Sequence, residues 1–129
     1  MYQIEKKGYG FKLTFGGFVK ASEMEEWKAA SEKALASQSG KFGVLVDMRT
    51  LKPLPANAQA VMVDGQKQYK MRGLERSAVI LDSAVTTGQF RRLAKESGIY
   101  AWERYVGADT PKHEQAAEAW ITRGVDPDR

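Results

Sequence analysis

A chain of 129 residues is the length of one domain and can bury roughly two thirds of the surface it exposes when unfolded, so neither disulfide nor metal is needed to hold it. With 43% hydrophobic and 28% charged residues and a net charge of +4, its composition is that of a globular rather than a disordered protein. Its apolar runs fall far short of the ~20 residues a spanning helix needs, and it has no cysteine to act as nucleophile, zinc ligand or iron-sulfur ligand.

The opening MYQIEKKGYG lacks the apolar core of a secretory signal, which predicts a cytoplasmic protein. YQIEKK alternates, with Tyr2, Ile4 and Lys6 on one side and Gln3, Glu5 and Lys7 on the other. After Gly8-Tyr9-Gly10, FKLTF sets Phe11, Leu13 and Phe15 opposite Lys12 and Thr14. Two such runs around a glycine turn predict an antiparallel hairpin with one wet face, and Gly16-Gly17 a bend or bulge after it. Ser22-Glu23-Met24-Glu25 has capping-box spacing and predicts a helix with Met24, Trp27, Ala30, Ala34 and Leu35 on its inner stripe, ending near Ser39-Gly40.

FGVLV, Phe42 to Val46, has no polar alternation, which predicts a central strand covered on both faces in a mostly parallel sheet. Pro53 and Pro55 are expected to stop that strand after Val46 and to start a helix from Ala56 to about Met71, with Gly73 just beyond. Gly65 inside that helix weakens it by about 1 kcal/mol relative to alanine. SAVIL, Ser77 to Leu81, predicts a second buried strand. Thr86 or Thr87 then caps a helix with Phe90, Leu93, Ala94 and Ser97 inward and Gly98 at its end. In YAWERYV, Glu103 and Arg104 interrupt the apolar residues and place a fifth strand at an edge. A last helix, capped by Thr110 and running from Pro111 to Arg123, packs Ala117, Trp120 and Ile121 and stops at Gly124, leaving VDPDR as a frayed tail. The order β-β-α-β-α-β-α-β-α predicts an α/β fold, a mostly parallel five-stranded sheet with an antiparallel N-terminal strand, in one domain of residues 1–124 followed by the tail 125–129.

That order, carried by GKFGVLVDMRTLKPLPANA, RSAVILDSAVTTGQFRRLAKE and EQAAEAWI, resembles the STAS/SpoIIAA-like family and its CRAL-TRIO-related relatives over nearly the whole chain. The resemblance implies a SpoIIAA-like fold and a non-enzymatic binding or regulatory module. STAS antagonists of anti-sigma factors carry an Asp-Ser pair at the start of the helix after the central strand, where the serine is phosphorylated. Here those positions read Leu54-Pro55-Ala56-Asn57, with no hydroxyl to modify, so the phosphoswitch is not carried over. Ser83 in LDSAV lies one element later and reads as a turn and cap residue. The CRAL-TRIO relatives imply an alternative, a small carrier binding a lipid or other apolar ligand beneath the second helix, among Leu51, Leu54, Val61, Met62 and Met71.

Ligands of open parallel sheets bind where strand carboxyl ends meet helix N-termini. That edge carries Asp47, Arg49 and Thr50, then Asp82, Ser83, Thr86 and Thr87, then Asp109 and Thr110, and the candidate cleft is Asp47, Arg49, Leu54, Met62, Asp82 and Ser83. Two aspartates a hydrogen bond apart can share a proton or hold magnesium, but Asp and Thr are also preferred helix caps, and capping is the favoured reading. No catalytic residue, metal site or cofactor is assigned. The lone histidine, His113, falls at an exposed first helical turn and argues against a histidine metal centre or a Ser-His-Asp triad, and no phosphate loop or GxGxxG fingerprint is present. Residues 66–104 hold Lys67, Lys70, Arg72, Arg76, Arg91, Arg92, Lys95 and Arg104 against Glu75, Asp82, Glu96 and Glu103, a surplus equal to the net charge of the whole chain. That region suits peripheral contact with an anionic membrane, while no recognition helix or stacking motif supports specific nucleic-acid binding. The expected partner is therefore a protein or a small apolar ligand.

Overall fold

The computed structural model describes residues 1–129. The two alternating runs form β1 (Tyr2–Lys7) and β2 (Gly10–Gly17), paired antiparallel with Ile4 opposite Leu13. They are followed by α1 (Ala21–Ala36), β3 (Phe42–Leu51), α2 (Ala56–Met71), β4 (Leu74–Leu81), α3 (Ala84–Ser97), a 3-10 turn at Tyr100–Trp102, β5 (Glu103–Gly107) and α4 (His113–Arg123). The sheet order is β1-β2-β3-β4-β5, with β2 to β5 all parallel and β5 at the edge. The expected α/β class and element order are found. FGVLV is central, and SAVIL runs parallel beside it with Val46 paired to Val79.

Successive crossovers advance one strand in the same direction, so the common right hand of such connections puts α1, α2 and α3 on one face. β3 shows how its side chains sort. Val44, Val46 and Met48 join Met24, Trp27, Met62 and Phe90 in a cluster of 22 buried residues, whereas Leu45 joins Ala78, Ile80, Val106, Trp120 and Ile121 in a cluster of seven beneath α4. Gly43 lets α4 cross β3 closely, since a Cβ there would lie 2.0 Å from Ile121 Cγ2. Gly65 serves packing as well. A Cβ at that point would lie 2.1 Å from the Trp27 ring, which stacks on Tyr69 with centroids 5.8 Å apart. The residue that propensity counts as a weakness of α2 is the space Trp27 occupies.

Several boundaries differ from expectation, each for a local reason. β3 does not stop after Val46 but continues to Leu51. Beyond its last pair with β4, Met48 to Leu81, it pairs with β2 alone, Gly16 with Thr50 and Gly17 with Leu51, across a register shift after Thr14. The capping box at Ser22 is not used: Lys20 is the N-cap of α1, with no side-chain cap bond, and Ser22 lies inside the helix. Val19 and Met24 occupy the positions of a hydrophobic staple and are both buried in the main cluster, so tertiary packing sets the helix start. α1 ends at Ala36, before the expected Ser39-Gly40. α3 begins one turn before Thr86 and Thr87, because Ser83 is its N-cap and accepts from the Thr86 amide at 3.3 Å. α4 begins at His113 rather than Pro111. Lys112, at φ 55°, forms the N-cap, and the Thr110 amide donates to Gly107 in a preceding turn.

Candidate functional site

The sheet topology places the six residues of the expected cleft in three separate locations. Asp47 continues the α4 face of β3 beyond Leu45, and Arg49 closes over it: Nε donates to Oδ1 at 3.0 Å, Nη2 to Oδ2 at 2.8 Å, and the Arg49 amide to Oδ1 at 3.1 Å. Burial raises the Asp47 pKa, but the hydrogen bonds from Arg49 and the charges of Arg49 and Lys12 outweigh it, so the carboxyl titrates below its usual range. Lys12 in turn meets Glu114 of α4 at 3.3 Å. The group is an ion-pair network at the rim of α4, with the Asp47 carboxylate committed to Arg49.

Leu54 and Met62 lie in the main cluster on the opposite face, both buried. Asp82 is exposed at the end of β4 and enters no ion pair, while Ser83 caps α3 and its carbonyl accepts from Thr87 Oγ1 at 2.7 Å. The two aspartates do not form a shared site. Asp47 is level with Ile80 in the register, and its oxygens face Arg49.

Beneath α2 the helices and sheet leave a cavity of about 40 Å³, walled in part by Trp27, Tyr69 and Phe90. Pockets for small molecules run from roughly 300 Å³ upward, so the lipid-sized chamber implied by the CRAL-TRIO relatives is not formed. Those aromatic rings fill the space it would need.

The same cavity is walled by Glu103, which is only 5% exposed despite standing on an edge strand. Pairing sets Glu103 level with Ser77 and Tyr105 level with Val79, all facing the three-helix side. Tyr105 Oη lies 3.2 Å from Glu103 Oε2 and 3.3 Å from the Phe90 carbonyl oxygen. Burial pushes the Glu103 carboxyl up to about 8, opposed by the hydroxyls of Tyr105 and Ser77, so the acid is protonated at neutral pH. Burial, with Glu103 beside it, raises Tyr105 above its ordinary value as well. A neighbouring buried pair, Ser97 Oγ donating to Gln66 Oε1 at 2.7 Å, completes the polar side of the cavity. Sequence reasoning placed Glu103 only as an edge-strand interruption. The signal available was parity: in ERYV, Glu103 and Tyr105 share one face, and a small hydroxyl residue, Ser77, heads the neighbouring strand run.

The cations of residues 66–104 do not form one patch. Arg91 lies over the Tyr105 ring at 4.6 Å and Lys95 over Tyr100 at 4.8 Å, on the α3 side. Arg92 bonds Glu96 and Gln59. Arg76 and Arg104 lie on the far side of the sheet over Trp120, at 5.8 and 4.2 Å, and Arg104 also holds Asp126 through two hydrogen bonds of 3.0 and 3.2 Å. No helix is long and apolar enough to cross a membrane.

No protein-family model matches the sequence, nor does any curated protein. Among solved structures, an uncharacterised protein of the DUF3478 family from Shewanella loihica PV-4, described as having a SpoIIAA-like fold, superimposes with a TM-score of 0.62 at 16% identity, over 94% of this chain and 92% of its own. Sheet order, the antiparallel first strand and that superposition agree, and the fold of this chain is SpoIIAA-like.

Proposed function

We propose that this chain is a non-enzymatic binding or regulatory module of the STAS type, acting in the cytoplasm by docking a protein partner at the carboxyl end of its parallel strands. The observation that carries this reading is Phe18. It directly follows β2, is 81% exposed, and borders a hollow with Val19, Pro53, Leu54 and Pro55, while exposed Val85 lies at the same end of the sheet at the start of α3. Aromatic anchors beside a firm wall carry most of the energy of protein interfaces. The wall is held firm from two helices: the Leu54 amide donates to Gln89 Oε1 at 2.8 Å, and the Leu54 carbonyl accepts from Gln59 Nε2 at 2.8 Å and Gln89 Nε2 at 3.2 Å. A loop ordered before binding loses less entropy when the partner arrives.

A photo-crosslinking residue at position 18, introduced in cells, identifies the partner, whose affinity is then measured with purified proteins. Phe18→Ser is expected to weaken binding at least about thirtyfold, the effect of losing a hot spot of about 2 kcal/mol. Met71→Ser, at a residue 87% exposed at the other end of α2, is expected to leave it unchanged. A partner indifferent to Phe18, or reproducible substrate turnover lost on Asp47→Asn or Asp82→Asn, refutes the reading.

A further inference from the structure

At the opposite end of the sheet, where β3, β4 and β5 begin, a cleft of about 440 Å³ opens between the turn after α2 and the turn after α3. Its volume falls within the range of small-molecule sites. Its charged rim is made by Lys41, Lys70 and Arg76 against the single Glu75, and its apolar side by Leu74, Ile99 and Trp102. Trp102 is 60% exposed although its backbone is fixed, the Trp102 carbonyl accepting from Trp120 Nε1 at 3.2 Å. A large indole face is thus held open to solvent beside a surplus of positive charge.

The cleft continues inward. Leu74, Ser77 and Ile99 wall both the cleft and the small cavity behind it, so the inner end of the cleft is the outer end of the cavity. Ser77 is nearly fully buried there, with its hydroxyl beside the Glu103 carboxyl.

We propose that this cleft binds a small aromatic carboxylate. The ring lies against Trp102, Leu74 and Ile99, and the carboxylate meets the ammonium groups of Lys70 and Lys41 on the rim. A monoanion fits better than a phosphate. The fork of Arg76 is already engaged, donating to the Ile121 carbonyl from Nε at 3.3 Å and Nη2 at 3.2 Å and meeting Glu75 at 3.6 Å, so bidentate phosphate recognition has no free guanidinium. What remains is two lysines, of which Lys41 shares Glu75 at 3.8 Å and Lys70 donates to the Gly98 carbonyl at 3.3 Å. With Glu75 drawing on Lys41, the lysine pair is left with a net charge of about one, which a single carboxylate balances.

The test is a titration of the isotopically labelled protein with 2-naphthoate, followed by amide NMR, with 2-naphthamide as the uncharged control. Saturable shifts are expected in residues 73–77 and 98–102, with binding weakened about tenfold or more by Lys70→Glu and by Trp102→Ala, and for the amide control, as for the loss of one charge-assisted or stacking contact. Arg92→Glu, which changes the same charge on the exposed side of α3, is expected to leave the affinity within about twofold, because exposed charges a Debye length away are screened. Lys41→Glu, at an exposed side chain, repeats the rim test should Lys70→Glu unfold the chain. Absence of saturable binding at millimolar 2-naphthoate, shifts confined to other residues, or equal affinity for naphthoate and naphthamide overturns the proposal.

Discussion

Replacing Glu103 by glutamine tests the buried acid directly. In the folded chain its carboxyl titrates at about 8, against 4.5 when solvated. Between these values the unfolded chain gives up the proton while the folded chain keeps it, so the native state binds more protons and stability falls as pH rises. At 1.36 kcal/mol for each pH unit in that window, the loss between about pH 5 and about pH 8 is roughly 3 to 4 kcal/mol, a large part of the stability of a domain this size. Glutamine keeps the shape and the acceptor facing Tyr105 but carries no charge at any pH. Urea unfolding followed by tryptophan fluorescence at several pH values is expected to give a steep decline for the wild type and a nearly flat profile for Glu103→Gln. The depressed pKa of Asp47 acts outside this window, since its contribution is present above the ordinary aspartate range and lost as pH falls through the lowered value. Parallel profiles for the two proteins would mean that Glu103 is solvated and that the cavity is not as described.

Three further substitutions read the packing. Gly65→Ala should gain about 1 kcal/mol from helix propensity but is expected instead to cost roughly 1 to 3 kcal/mol, because its methyl would enter the Trp27 ring; the shift in urea midpoint gives the sign. Thr86→Val is expected to be neutral or stabilising by up to about 1 kcal/mol, since Thr86 is fully buried and its Oγ1 has no partner; a drop in Tm contradicts this. Ser83→Ala removes the N-cap of α3 and is expected to cost about 1 kcal/mol in equilibrium unfolding.

What could be read from sequence and what could not divide along a physical line. FGVLV and SAVIL announce buried parallel strands because burial on both faces leaves no room for polar alternation, and both lie where expected. Helix starts were less legible. Ser22 offers good capping chemistry, but Val19 and Met24 gain more by entering the core, and local hydrogen-bonding preference yields to burial. The length of β3 depended on a register shift in β2, a partner far away in sequence. The cleft at strand carboxyl ends was inferred from a general property of parallel sheets, yet alternation along β3 sends Asp47 and Arg49 to the α4 face and Met48 to the other. Glu103 escaped because an edge strand suggests water, and only the packing of α3 and the Tyr100–Trp102 turn removes it.

The march of crossovers in one direction leaves α4, 11 residues long, as the one helix covering Leu45, Ala78, Ile80 and Val106. Its detachment needs no rearrangement of the other three helices, yet it would lay bare an apolar sheet face. Partial opening of this molecule is therefore lopsided, and the sticky intermediate is a nearly complete domain missing its last helix. The two guanidinium groups resting on Trp120 act as clasps against that event, which gives the basic residues of the middle segment a role in keeping the chain from self-association.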